Sequence, residues 1–504
     1  MTSSWKFVAF GLIALAPVAG SDACPRRSRT VSVAPALDFV GAKAKSDAPL
    51  FGGTPARNMV NLVDKDIPID WSVEEGKGKN IKWSVPLGDK SYGGPVIADG
   101  KVYVGTNNRR PRDPKVKGSR AILMCFDEAT GKFLWQIAHE IPAEVTSMDA
   151  LNEGLCSTPA VEGGMIYYVT PGCEVVAADT TGKVQWTYNM NKEDKVFPYH
   201  LANCSPLVAG DLVMVVTGNG TDEEGKIHTP EAPSFIAINK KTGKAMWKSN
   251  LPGKRIIEGQ FSNPTLATVD GKQQVIMPGG DGVLYSFEAE TGKLVWKCDC
   301  VPVRVKPGSR ALDLYFVATP VVVDNRLYVA MGVAPMNAHT PPHSQFLCLD
   351  VTKKGDVSFK SYDAKDPKNK DSALVWAFGG PFDPPPEKGR QVKFGTSIST
   401  AAVHDGLVYI AEETGYMHCL DAKTGQRYWE HDFRATVWGS PYWVDGKVYI
   451  GTDDGEVIIF QHGKDRKVLA TVSVDAAVHT TPVVANGVLY VQTRSHLYAI
   501  SKGK

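Results

Sequence analysis

Residues 127–135, Asp-Glu-Ala-Thr-Gly-Lys-Phe-Leu-Trp, decide the fold, because the same pattern returns along the chain. An Asp, Asn or Glu, then Thr-Gly, usually Lys, and a Trp three positions on recur at residues 179–186, 239–247, 288–296 and 421–429. Working outward, each copy is preceded by a small residue and Pro, an apolar strand, a tight turn and a second strand, often with an aromatic. Gly94-Pro95, Thr158-Pro159, Ser205-Pro206, Asn263-Pro264, Thr319-Pro320, Thr400-Ala401, Ser440-Pro441 and Thr481-Pro482 open eight such units. Their turn pairs, from Asp99-Gly100 to Asn486-Gly487, are built from Gly, Asp and Asn, which tolerate the positive φ of a two-residue hairpin. A repeat of this length cannot bury an apolar face alone, so neighbouring copies must stack.

The irregularities in the series are informative. The fifth unit is interrupted between Asp350 and Trp376, the seventh ends in Leu469 without a Trp, and the eighth stops at Ser501 one strand short. Residues 81–85 supply that strand, with Trp83 standing where the other Trp residues stand. Closing the ring in this way removes the edges an open ring would expose. The expectation is an all-β, eight-bladed β-propeller of four-stranded antiparallel blades, closed by an N-terminal strand that completes the last blade. Residues 1–23 read as a signal peptide, 24–80 as an N-terminal extension and 81–501 as the propeller.

Composition agrees. With 504 residues, 43% hydrophobic and 22% charged, the chain can bury a large core. Its 48 Gly and 33 Pro, without a collagen-like period, fit many turns between short strands. A formal net charge of +2 gives no global basic field, so nucleic acid is not expected as a partner; a local patch is not excluded by a whole-chain sum. Lys6, the apolar run at residues 7–18 and the small residues Ala19, Gly20, Ser21 and Ala23 form a secretory signal, too short to span a bilayer. No later stretch has transmembrane length. The expected location is outside the cytoplasm, periplasmic or cell-envelope associated. Cys24 would follow the cleavage site, but Asp22 and the missing Leu at minus three argue against lipidation.

The repeated Asp-x-x-Thr-Gly-Lys-x-x-Trp resembles the tryptophan-docking motif of quinoprotein dehydrogenases and of the outer-membrane assembly lipoprotein that shares their repeat. The resemblance covers about residues 81–501. It implies the propeller but leaves the activity open, since one fold hosts many functions. The Trp residues are accordingly expected to pack between blades and not to stack on a ligand. Cys125, Cys348 and Cys419, two residues before the turn Asp, read as small core residues. Cys156, Cys173, Cys204, Cys298 and Cys300 lie outside that position, and spacing does not assign a pairing.

Strand alternation puts the first-to-second and third-to-fourth turns on one face, and the second-to-third and inter-blade loops on the other. The second face carries the insertions at residues 107–120, 137–155, 187–203, 219–233, 297–317, 333–345 and 377–397. The charged stretch 353–372 is the exception and reads as a solvated loop. Function concentrates on loops over a rigid scaffold, so the insertion-bearing face is the expected binding face. Its polar candidates are Glu174, Asn219, Asp281, Arg310, Asp313, Glu412 and Asp453. Trp438, three residues before Pro441, is expected at the central channel.

Residues 216–220, Val-Thr-Gly-Asn-Gly, resemble the loop in which the dehydrogenases place a calcium-ligating Asn. By that resemblance Asn219 and Glu174 would hold calcium and Asp313 would act as the catalytic base, while Arg310 and Trp438, on the same face, are the further candidates to contact pyrroloquinoline quinone (PQQ). A calcium ion beside the quinone polarises its carbonyl while a carboxylate takes the alcohol proton. Two departures weigh against this. The chain has no adjacent Cys-Cys pair, and residues 196–204 contain Phe197 and Tyr199 where the family has a stacking Trp. The expected function is therefore a non-catalytic binding or scaffold module of the cell envelope. It would require no cofactor and would engage a protein or envelope component through the insertion-bearing face. The alternative is a PQQ- and calcium-dependent dehydrogenase of an alcohol or sugar.

Overall fold

A computed structural model describes residues 46–74, 78–142, 152–222, 224–304, 313–333, 344–382, 384 and 386–503. The apolar runs become short strands that pair in sequence order, each repeat forming one antiparallel sheet. Blade one consists of Val96–Ala98, Lys101–Asn107, Arg120–Asp127 and Phe133–Glu140. Six further blades repeat that order. The eighth joins Val483–Ala485, Val488–Gln492 and His496–Ile500 to the N-terminal strand Ile81–Pro86. Trp83 stands opposite Ala499 as Trp135 stands opposite Cys125, so the closing strand enters in the register of a native fourth strand. The protein is an eight-bladed β-propeller.

The recurring motif has a mechanical explanation. Where the next blade carries a Thr-Gly turn, the docking Trp leans onto it, its indole N–H donating to a backbone carbonyl and its ring covering the turn Gly; Trp429 meets blade seven, which has no Thr-Gly, and donates to Gly463 O at 3.1 Å. Trp247 of blade three donates to Ala289 O at 2.9 Å, and a Cβ on Gly292, at φ +69°, would lie 2.6 Å from the indole. Trp83, Trp135, Trp186 and Trp376 meet Gly131, Gly182, Gly243 and Gly425 in the same way. Trp296 is the informative exception. It is fully buried, its Nε1 has no partner, and interrupted blade five offers its ring no Thr-Gly turn. In blade seven Ala470 takes the Trp position opposite Ile459, and blade eight has no Thr-Gly to receive a ring.

The residue before each Pro stitches the inner ring. Thr158 Oγ1 accepts from Gly94 N at 2.9 Å, Ser205 Oγ from Thr158 N at 3.0 Å and Asn263 Oδ1 from Ser205 N at 2.6 Å. Across blades six to eight, Ser440 Oγ accepts from Thr400 N and Thr481 Oγ1 from Ser440 N, at 2.9 and 3.0 Å. These bonds satisfy inner-strand N–H groups that no ladder reaches.

Residues 46–61 make one circuit of the channel against the inner strands. Ala48 bridges Ile97 in blade one, and Pro49 O accepts from Val161 N in blade two at 2.7 Å. Pro55 O and Ala56 O accept from Leu266 N and Val322 N in blades four and five at 2.9 and 3.0 Å. Asn58 exchanges two 2.9 Å bonds with Val403 in blade six, Val60–Asn61 pairs in parallel with blade seven, and Asn61 Nδ2 donates to Val484 O in blade eight. Arg57, fully buried, supplies blade three. Its guanidinium donates to Ser205 O, Pro206 O, Pro264 O and Phe51 O at 2.9–3.0 Å. Burial lowers its pKa to about 10. The strap lies toward the tight-turn face, where Asp47 accepts from Asp99 N and Asp64 from Gly487 N.

The stretch 353–372 is not simply a solvated loop. Gly355–Asp356 pairs in parallel with the outer strand Leu294–Asp299 as a fifth strand of blade four, and Val357 and Phe359 bury against the core. Asp299 N donates to Ser358 Oγ at 2.8 Å and Tyr362 Oη to Cys300 O at 3.2 Å, so hydrogen bonds fasten it as well. Cys125, Cys348 and Cys419 are buried, each opposite its blade's Trp. The eight described cysteines are free thiols, with Cys298 and Cys300 Sγ 3.8 Å apart.

Candidate functional site

With the strap against its tight-turn side, the channel is a well opening toward the insertion-bearing face. Ala48, Leu50, Phe51, Gly52, Gly53 and Met59 form its floor, and the residues that open the inner strands of every blade but the third form its wall. The cavity measures about 140 Å³. Trp438 lines it as expected, in a cluster sequence reading did not assemble. Its ring centroid lies 5.2 Å from that of His479 and 5.9 Å from that of Tyr92, and Tyr92 stacks on His479 at 5.3 Å and 17°. His479 Nε2 lies 2.5 Å from Asp453 Oδ1, which brings two of the candidates into one cluster. Burial lowers the His479 pKa and raises that of Tyr92. Tyr92, Trp438 and His479 each stand three residues before the Pro of their units, so the common offset was the available signal.

The remaining candidates fall into separate networks. Asp281, fully buried, accepts from Arg255 at 2.9 Å and Tyr285 at 2.7 Å; burial raises its pKa against the pull of both partners. Glu412 is equally buried, and bonds from His418 and Arg390 outweigh burial and hold it below the usual range. Arg390 comes from the 377–397 insertion, so this pair pins that loop to blade six. The neighbouring Glu413 is different. It is 7% exposed, its Oε2 has no partner, and burial raises its pKa to about 7.

Asn219 Oδ1 accepts from Phe197 N at 3.0 Å and Thr229 Oγ1 at 3.1 Å, while its Nδ2 donates to Thr229 O at 3.0 Å. The carboxamide thus pins residues 197–229 together, with both acceptor positions occupied. Glu174 accepts from Asn189 at 3.1 Å and Thr170 at 3.4 Å, and shares no hydrogen-bond partner with Asn219. Asp313 lies 3.7 Å from Arg304, which also donates to Asp299 and to Asp281 O. Arg310 lies outside the described residues. Among the described residues no group of three or more His, Cys, Asp or Glu is placed to hold a metal ion, and no helix is long and apolar enough to cross a membrane.

Known proteins share parts of this chain. The quinohemoprotein alcohol dehydrogenase ADH-IIG of Pseudomonas putida is 31% identical over 156 residues, 29% of this chain and 17% of that protein. A quinoprotein ethanol dehydrogenase of Pseudomonas putida is 26% identical over 225 residues, 42% of this chain and 30% of that protein. The matches therefore span less than a third of these relatives' lengths. Among solved structures, BamB from Moraxella catarrhalis superposes with a TM-score of 0.55 at 16% identity, covering 84% of this chain and 99% of that one. Quinohemoprotein alcohol dehydrogenase from Comamonas testosteroni superposes with a TM-score of 0.61 at 15% identity, covering 92% and 81%. At these identities the likeness is one of fold. A family profile described as "Outer membrane protein assembly factor BamB" matches residues 71–255, 232–368 and 360–469. Since those segments together take in well over half of the sequence, the chain belongs to this family of PQQ-like repeat propellers.

Proposed function

We propose that this propeller is an exported, non-catalytic binding or scaffold module of the cell envelope that engages a protein or envelope component through its insertion-bearing face. The observation that carries the reading is the strap. It occupies the channel and leaves a cavity of about 140 Å³. Small-molecule and cofactor sites usually run from about 300 to 1,000 Å³. The donor set adds support. Calcium needs several free oxygen ligands, whereas Asn219 spends its oxygen on Phe197 and Thr229. The residues present therefore do not fit a calcium-bound quinone in the arrangement the resemblance implied.

A PQQ- and calcium-dependent dehydrogenase of an alcohol or sugar is the second reading, favoured by the dehydrogenase names of the sequence relatives. In it Asp313 is the base, Glu174 and Asn219 hold the calcium, and Arg310 and Trp438 contact the quinone. A titration of the purified protein with PQQ and calcium, read by absorbance and dye-linked alcohol oxidation, separates the two. The binding module gives no quinone uptake and no turnover. Stoichiometric uptake with turnover abolished by Asp313→Asn would overturn it.

A further inference from the structure

The near-neutral whole-chain charge hides a local concentration. Residues 108–120 carry Arg109, Arg110, Arg112, Lys115, Lys117 and Arg120 against one carboxylate, Asp113, a local excess of five positive charges in a chain whose total is +2. This loop joins Lys101–Asn107 to Arg120–Asp127 in blade one, so it stands on the insertion-bearing face. It is fixed by its own hydrogen bonds. Asn108 Nδ2 donates to Val116 O at 3.0 Å and Gly118 O at 3.2 Å, and Asp113 Oδ1 accepts from Lys115 N at 2.9 Å. Arg109 Nη2 donates to Asn152 Oδ1 at 2.8 Å.

Among the described residues, Arg120 is the one cation of this loop with a carboxylate partner, the highly exposed Glu140 at 3.2 Å. Arg112 turns aside, stacking over Phe133 at 4.9 Å and donating to Pro86 O. Arg109, Lys117 and Arg120 instead line one recess of about 340 Å³ together with Asn108 and Asn152. Like charges held this close repel one another unless an anion joins them. The planar Arg fork matches the oxygens of a phosphate, and a loop already fixed loses little freedom on binding.

We propose that this recess binds a ligand presenting two or more phosphate groups. The assignment rests on the reading of the insertion-bearing face as the binding face, and it names the chemistry that face takes. The test uses the purified full chain at low salt, with inorganic tripolyphosphate in one arm and phosphatidylglycerol–phosphatidylcholine vesicles in the other. The comparison is a double Arg109→Gln, Lys117→Gln variant. These side chains are exposed and cover no core, so the variant is expected to fold normally. Binding should weaken on the order of 100-fold in the variant, from two charge-assisted contacts, and fall steeply with salt in the wild type.

Binding in either arm that is lost in the variant supports the assignment and identifies the source as soluble or lipid phosphate. No binding in either arm, equal binding by both proteins, or equal affinity for poly-glutamate overturns it. The PQQ titration scores the underlying reading independently. Quinone-dependent turnover would overturn that reading without involving this loop, and failure to bind phosphate would not revive the quinone.

Discussion

Replacing Gly292 by Ala isolates what Trp docking contributes to the ring. Gly292 sits at φ +69° with the Trp247 indole 2.6 Å from where its Cβ would stand, so the substitution adds two penalties. An L-residue in the left-handed region costs about 1–2 kcal/mol, and forcing the indole aside costs about 1–3 kcal/mol more as overpacking. The same blade contains its control. Gly271 has φ +74° and open space around its Cβ position, so Gly271→Ala carries the backbone penalty of about 1–2 kcal/mol alone. Urea-unfolding midpoints of the two variants should therefore differ, with Gly292→Ala the less stable. In a Trp247→Ala background, with no indole to displace, the two should converge. Equal destabilisation of Gly292→Ala and Gly271→Ala in the wild-type background would refute the docking argument.

Arg57→Ala should destabilise the protein by about 3 kcal/mol or more by stranding four carbonyls, three of them buried; Arg57→Lys should recover little, since one ammonium cannot serve all four. Hydrogen exchange across residues 46–61 reads this directly, and unchanged protection would count against the strap's role. Glu413→Gln should stabilise the protein at high pH. The folded pKa of about 7 lies above the ordinary 4.5, so the native state holds the proton more tightly and the wild type loses stability as pH rises from 4.5 through 7, by about 3 kcal/mol in all. The gap in melting temperature between Glu413→Gln and wild type should accordingly be larger at pH 8 than at pH 4, and a pH-independent gap would contradict the buried carboxyl. Deleting residues 81–85 should leave blade eight with an open edge and produce aggregation or loss of cooperative unfolding; a melt like that of the intact chain would show the ring closed by other means.

The blades were legible because docking is local and repeated: the Thr-Gly turn and the Trp are both residues that geometry dictates, and Trp83 revealed the closing strand by the same rule. The strap was not legible. Residues 46–61 match no repeat, and their anchors are backbone groups, the side chains of Asn58 and Asn61, and one Arg, three of whose four acceptors lie more than a hundred positions away. The channel cluster was half legible. Trp438 drew notice by its place three residues before Pro441, while Tyr92 and His479, of different residue types, concealed that all three occupy one repeat position. For Asn219 the resemblance supplied a residue type in a Gly-rich loop, but only coordinates show where its lone pairs go. The basic recess was hidden by summation, since acidic residues elsewhere cancel it in the total.

The joining of the two chain ends also imposes an order of events in time. Ser46 N donates to Asn486 Oδ1, a separation of 440 positions, and the strand at residues 81–86 is synthesised long before its partner at 496–500. Contacts this distant in sequence form slowly. Seven blades can therefore assemble while the first strand waits unpaired, and throughout that interval it offers free backbone groups to any passing chain. Premature termination anywhere before blade eight leaves that strand permanently without its mate, so truncated products should be far more prone to intermolecular strand exchange than their remaining core would suggest.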